Sequence, residues 1–412
     1  MINLPRKIFC FFLFYVLTCQ NILAFPGWQE EAIFKTKHPR LVTLDDLGKS
    51  NPELIPKEVY IDREYQHKVE SKLSKRFFGI YSTLAPPTFV VEMSGEKTYL
   101  EKDGLVLIDR GNDKKDVIRE FVLRWEYYNL GGMFQRVDEL KSPEKFDGKV
   151  ASIATKYSEG YYHFLFDMLP RLRLLQKSGL AYDKLYVSGM HPSYVKEALE
   201  MARIEGSRVI SSNDHPIISA DQLVLPSFPG ISYQSTPWVI KWIQDFYLEK
   251  DREVNPPKDL IYISRSDAAR RRITNEEELL GMLKILGFKV ATFEGKSVKE
   301  QALIFQNAKV IMGPHGAAFS NIIFAQKGAT LLELMNPSWP HGPFAVLAKD
   351  IGLKYGYVFG QSIDEPDVED DKKVRDYTVS LKKTWKKLRS LASFSSTARR
   401  KVRKYLKGLK KK

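Results

Sequence analysis

Cysteine is nearly missing from the 412 residues: both copies, Cys10 and Cys19, fall in one N-terminal apolar run, so the rest of the chain has no disulfide. No Asn-x-Ser/Thr sequon occurs either, because Asn336 is followed by Pro337. These absences exclude a disulfide-stapled module and lean towards a reducing compartment, or a bacterial envelope over a Golgi or endoplasmic-reticulum lumen. No Asp-x-Asp pair is present, so a metal held by that motif is not expected. Apolar runs approaching membrane length are absent outside residues 8–25. That run falls just short of the roughly 20 residues a helical span needs. Behind a short basic start it reads equally as a signal anchor or as a signal peptide ending near Ala24. Either reading makes the protein membrane-associated.

Net charge is missing from most of the chain. Of the 64 Lys and Arg, 14 lie in residues 382–412, which hold no Asp or Glu; the other 50 match the 50 acidic residues. The formal charge of +14 therefore belongs to the tail. In it Leu381, Trp385, Leu388, Leu391 and Phe394 recur at helical spacing between lysines. The spacing predicts a basic amphipathic helix suited to an anionic bilayer. Nucleic acid is the rival surface, and no recognised binding module supports it.

What is there is an α/β pattern. At 43% hydrophobic and 12% aromatic the chain is globular and long enough for two domains. After a proline-dotted stem at 26–57, short apolar strands alternate with helical segments through 58–250, and a charged stretch ending in Pro256-Pro257 marks a boundary. The pattern repeats more cleanly in 251–365: a strand at 260–264, a helix capped by Asn275, a strand near 288–293, a helix capped by Ser297, and strands at 309–312 and 329–335. An acidic linker and the basic tail fill 366–412.

Three stretches carry chemistry. Residues 310–324 run from an apolar strand through Gly313, Pro314, His315 and Gly316 into a helix start. Such a terminus offers N–H groups and a partial positive charge to a phosphate, with His315 and Asn321 as added donors. An ordinary strand–helix turn is the plainer reading. Residues 265–272 hold Arg265, Arg270, Arg271 and Arg272, of which one or two are expected to bind phosphate and the rest to be solvated. Arg265 and His315 both follow strand ends and should share a rim. Glu333, a charge inside an apolar strand, must meet an arginine of that loop or a ligand hydroxyl. In the first half, His163 and Asp167 lie four apart on an apolar helix and so share a face, with Pro170 kinking or dividing the run. They are candidates for proton transfer; a solvated helix turn is the alternative.

Taken together, His163-Phe-Leu-Phe-Asp167 with Leu169-Pro-Arg171, Tyr262-Ile-Ser-Arg265 with Asn275-Glu276-Glu277, Gly313-Pro-His-Gly-Ala317 with Asn321, and Glu333 before Pro337 resemble glycosyltransferase family 61. The resemblance spans residues 152–337. It implies an α/β fold of GT-B type, two Rossmann-like domains with parallel sheets facing a cleft. It implies inverting, metal-independent transfer from a UDP-sugar of N-acetylglucosamine, xylose or arabinose type to a glycan or protein-linked hydroxyl, as in surface polysaccharide synthesis. His163 or Asp167 would be the base. Arg265, Arg270, Arg271, Gly313, His315, Gly316, Asn321 and Glu333 would hold the nucleotide sugar. The expected partners are that donor, a glycan or glycoprotein acceptor, and a membrane met through residues 8–25 or the tail; no nucleic acid is expected. A catalytically inactive, membrane-tethered glycan-binding protein on the same fold is the alternative.

Overall fold

The computed structural model describes residues 88–409 except 113, 123–129, 231–234, 249–254, 267, 269, 338–339 and 363–375, together with short backbone strands at 41–42, 58–62, 68–69 and 83–84. The apolar run at 8–25 and the acidic linker lie outside the described residues. Among the described residues no helix is long and apolar enough to cross a membrane. The described residues divide into two compact units at 232/233.

The first unit is built on a ten-stranded sheet. Its strands are β1 (Leu41–Val42), β2 (Glu58–Asp62), β3 (Thr88–Ser94), β4 (Thr98–Glu101), β5 (Val106–Asp109), β6 (Lys115–Ile118), β7 (Glu144–Ser152), β8 (Lys184–Val187), β9 (Val209–Ser211) and β10 (Ile217–Pro226). The order β1-β6-β5-β4-β10-β7-β8-β9, with β3 and β2 branching from β10, corrects the expected all-parallel sheet. Only the run β10-β7-β8-β9 and the β1/β6 pair are parallel. Strands β4 to β6 are short and joined by tight turns at Gly104 and Gly111, both with positive φ. Turns of that length return the chain on itself and force antiparallel pairing. Longer connections carrying α2 (Leu169–Ser178) and α3 (Ser193–Met201) allow the parallel crossovers. Helix α1 (Leu130–Asp138) packs Met133, Phe134 and Val137 against Leu107 and Val117.

The second unit holds a five-stranded, wholly parallel sheet made of β11 (Asp259–Ile263), β12 (Lys289–Ala291), β13 (Ala308–Pro314), β14 (Thr330–Met335) and β15 (Lys354–Phe359). Their order is β12-β11-β13-β14-β15. In chain terms this is 2-1-3-4-5, one of the two common doubly wound orders, and its direction of winding reverses between β11 and β13. Helices α4 (Pro237–Tyr247), α5 (Glu276–Leu286), α6 (Val298–Gln306) and α7 (Pro343–Asp350) surround the sheet. Helix α4 therefore belongs to this unit, although charge and proline content draw the boundary between 250 and 251. Coverage of both faces explains why every residue of β14 is buried. Ser297 caps α6 in a full capping box with Glu300. Asn275 occupies the N-cap position of α5 but makes no capping bond, because its amide is spent on the backbone of Val379.

The tail is a helical hairpin, α8 (Leu381–Leu391) and α9 (Ser396–Gly408). Leu381, Trp385, Leu388 and Val402 are buried in one core cluster with Tyr262, Leu283, Met312 and Leu332. The apolar stripe read as a membrane face is thus spent on the fold. Burying a Trp and two Leu side chains stabilises by several kcal/mol, at about 1.5–3 kcal/mol each.

Candidate active site

In the first unit a helical turn (Tyr161–His163) runs through a π-helical stretch (Phe164–Met168) into α2. Pro170 begins α2, where its missing N–H costs nothing. A π-helical turn widens the helix by one residue, and such insertions occur often at functional sites. His163 Nδ1 lies 2.6 Å from Asp167 Oδ2. The imidazole side chain keeps 13% of its surface and the carboxylate 7%, so the imidazole is the more accessible partner. Tyr157, with φ at 65°, sets its ring 5.5 Å from that of His163. The wholly buried Arg171 lies one turn beyond Asp167. Its Nη1 donates to Ala154 O at 2.6 Å and its Nη2 to Pro226 O at 2.7 Å. Burial pulls the Arg171 guanidinium down to about 9, and the Asp167 charge opposes that shift. Asp167 thus lies between the Arg171 guanidinium and the His163 imidazole.

In the second unit the residues after β11 and β13 meet at the point where the sheet reverses. Gly313 lets the strands close up: a Cβ there would stand 2.7 Å from the Ile263 carbonyl oxygen. Gly316 lies against the Arg265 guanidinium, and a methyl group there would overlap Nη1. The segment that follows is a 3-10 helix (Ala317–Phe324).

The arginine loop is anchored from far along the chain. Arg265 Nη2 donates to Arg270 O at 3.3 Å. Arg272 is tied to Asp376 by its backbone N and its Nε, at 2.7 and 2.9 Å. Tyr377 N donates to Arg272 O, and Thr274 N to Tyr377 O, each at 3.0 Å. Arg270 is exposed, and Arg271, half-buried, adopts a left-handed φ of 59°, which costs a side-chain residue about 1 kcal/mol or more. Arg265 and Arg271 both act on the buried Tyr377 phenol, opposing the upward shift that burial and Glu333 impose. Tyr262 and Ser264 donate to Glu276 at 2.7 and 3.0 Å, fixing the end of β11 to the start of α5.

Glu333 meets neither an arginine nor open space. It has no exposed surface. One oxygen lies 2.6 Å from His315 Nδ1 and the other accepts from the Tyr355 hydroxyl at 2.7 Å. Burial, with Glu333 next, pushes the Tyr355 phenol well above its usual range. Asn321 is likewise fully buried and donates to Gln301 Oε1 at 2.8 Å, tying the 3-10 segment to α6. Of the eight nucleotide candidates, Arg265, Gly313, His315 and Gly316 lie at the switch point, Arg271 acts on Tyr377 beside it, Arg270 is exposed, Glu333 contacts His315, and Asn321 is buried against Gln301. Tyr355, Tyr377 and Asp376 are participants that local patterning does not reveal. Among the described residues no group of three or more His, Cys, Asp and Glu could hold a metal ion.

A family model described as glycosyltransferase 61 matches residues 161–332. The match begins at the His163 turn and takes in both arginine loop and glycine turn. Over these residues the chain is similar to glycosyltransferase family 61. It is 29% identical over 148 residues to a protein of Arabidopsis thaliana named as the xylan glycosyltransferase MUCI21, covering 34% of this chain and 29% of that one. It is 36% identical over 59 residues to an Arabidopsis thaliana protein named as a beta-1,2-xylosyltransferase, covering 14% of this chain and 11% of that one. The chain therefore spans less than a third of the length of either relative.

Proposed function

We propose that the protein is a glycosyltransferase that moves a sugar from a UDP-sugar donor to a hydroxyl of a glycan acceptor, with inversion at the sugar carbon. The two named relatives act on xylan or transfer xylose; a pentose or N-acetylhexosamine donor fits this reading. One observation carries it: Arg265 lies on the backbone of Gly316 at the switch point of a 2-1-3-4-5 parallel sheet, inside the family 61 match. Open α/β sheets bind ligands in that crevice. Two guanidinium groups and backbone amides can meet a diphosphate there, at about 1.5–3 kcal/mol per charge-assisted bond.

In the proposed reaction the acceptor oxygen attacks the anomeric carbon as the bond from that carbon to the diphosphate breaks. The bonding pair leaves with UDP, and the acceptor proton passes to His163. Nδ1 is engaged by Asp167, so Nε2 is the nitrogen that takes the proton, and Asp167 stabilises the imidazolium that results. Arg265, Arg271 and the Gly313–Gly316 turn stabilise the departing charge in place of a divalent ion, with His315 held in one orientation by Glu333. The two units are, on this reading, the lobes of a GT-B transferase.

The test is UDP release from a panel of UDP-sugars by the full chain, with xylan and other glycans as acceptors and with chelator present. The proposal expects one donor to turn over in an acceptor-dependent way without added metal. Binding without turnover of any donor would favour the glycan-binding alternative. Strict dependence on a divalent ion would remove the arginines from their role.

A further inference from the structure

The chain's entire excess of positive charge lies in residues 382–412, and the fold does not leave it as a loose tail. Helix α8, the turn after it and the start of α9 wall a cavity of about 770 Å³ against the end of β15. Its charged lining is Lys383, Lys386, Lys387, Arg389 and Arg399. No described acidic side chain forms an ion pair with any of the five, unlike Arg272, which is paired with Asp376. Tyr357, Phe359 and Phe394 line the same cavity. The volume falls within the range of about 300–1,000 Å³ usual for ligand sites. Five like charges around one concavity repel one another, and an anion entering it relieves that repulsion.

The surroundings narrow the anion. A bilayer would need apolar side chains to insert, and the exposed large hydrophobics of the described residues, Tyr157, Met201 and Val290, all lie elsewhere. A stacked base needs an open aromatic plane. Here Lys387 Nζ stands 6.0 Å over the Tyr357 ring, Phe359 meets Tyr357 edge-on at 5.3 Å, and Phe394 leans on Trp385 at 5.6 Å. A sugar ring needs only part of a face for its C–H groups, and its acidic substituents pair with lysine and arginine.

We propose that this groove is a second carbohydrate site, taking an acidic stretch of the acceptor glycan, one bearing carboxylate or phosphate groups. That the ligand is anionic rests on the groove; that it is a carbohydrate rests on the transferase reading.

The test uses the full chain and three probes: a galacturonate oligosaccharide, a neutral xylan oligosaccharide of equal length, and UDP. Binding is followed by titration calorimetry at stepped salt. The galacturonate probe is expected to bind at least about tenfold more tightly than the neutral one, a difference of about 1.4 kcal/mol, and to weaken as salt rises. The triple variant Lys383→Glu, Lys386→Glu, Arg399→Glu should abolish that preference and leave UDP affinity unchanged. All three side chains are exposed, and unchanged thermal unfolding would verify the fold. Equal binding of both oligosaccharides, or acidic binding unaffected by the triple variant, would overturn the proposal. So would a single-stranded oligonucleotide or anionic vesicles engaging the groove when galacturonate does not. Galacturonate binding without UDP binding would leave the groove standing and remove the transferase reading.

Discussion

His163 and His315 each bring Nδ1 to 2.6 Å from a carboxylate oxygen, but the two pairs are set in opposite surroundings. His163 and Asp167 come from consecutive turns of one helix, keep part of their surface, and sit beside a tyrosine in left-handed conformation. His315 follows the end of one parallel strand and Glu333 lies within its neighbour, sealed inside with a tyrosine on its second oxygen. An imidazole that must exchange a proton with a substrate needs an accessible nitrogen and a partner that stabilises its cation. One that must hold a loop in place needs saturation and burial. On the proposed reading the same chemical pair serves proton transfer in one unit and pre-organisation in the other, where Glu333 is fully sealed.

The variant expected to act most strongly is His163→Ala. It should lower transfer about 10²–10⁴-fold, the usual worth of a general base, with unfolding nearly unchanged. Near-normal transfer in a steady-state assay would make the two histidines alike and remove the base. Glu333→Ala should instead act on the fold. It strands His315 and Tyr355 without their acceptor and should cost about 2–4 kcal/mol in urea unfolding; a loss under about 0.5 kcal/mol would contradict the structural role.

Glu101 offers a buried carboxylate in poorer company. Burial, with Asp103 next, raises it to about 7 against the opposing charge of Arg136. A carboxyl whose folded value is raised favours the folded state while protonated. The first unit should therefore lose about 1–3 kcal/mol as pH rises from roughly 4.5 to 7. Glu101→Gln should flatten that slope, and an unchanged urea midpoint against pH in both proteins would refute the assignment. The mildest change is Gly316→Ala. Its methyl group displaces the Arg265 guanidinium, the mobile end of a flexible side chain. UDP affinity should fall by roughly 1 kcal/mol, about fivefold, and unchanged affinity would detach Arg265 from the turn.

How much of this was legible in the sequence depended on range. Four of the five strands of the second sheet are legible as short apolar runs beside helix starts, as Ser297 and the 310–312 run show; β15, with its alternating exposure, is not. The His163/Asp167 pair could be read because helical periodicity places them together. The antiparallel part of the first sheet is not legible because apolar runs at 88–94 and 106–109 look alike whether they pair parallel or antiparallel, and residues 90–94 find their partner at 222–226, far along the chain. Glu333 was recognised as needing a partner, but the partner, His315, came from the next strand across. The clamp of Asp376, Tyr377 and Val379 on the arginine loop acts over 104 residues, and nothing local signals it. Amphipathic periodicity in α8 is visible in the sequence, yet it cannot distinguish a bilayer from the protein's own core.

On the proposed function Arg265, seated on the Gly316 backbone at the sheet's switch point, grips the donor diphosphate. Calorimetric titration of UDP into the full chain and into Arg265→Ala tests it directly. The expected result is one UDP site that weakens about 10–100-fold in the variant, the worth of one or two charge-assisted hydrogen bonds. Equal UDP affinity in the two proteins, or no UDP binding by either, would contradict it.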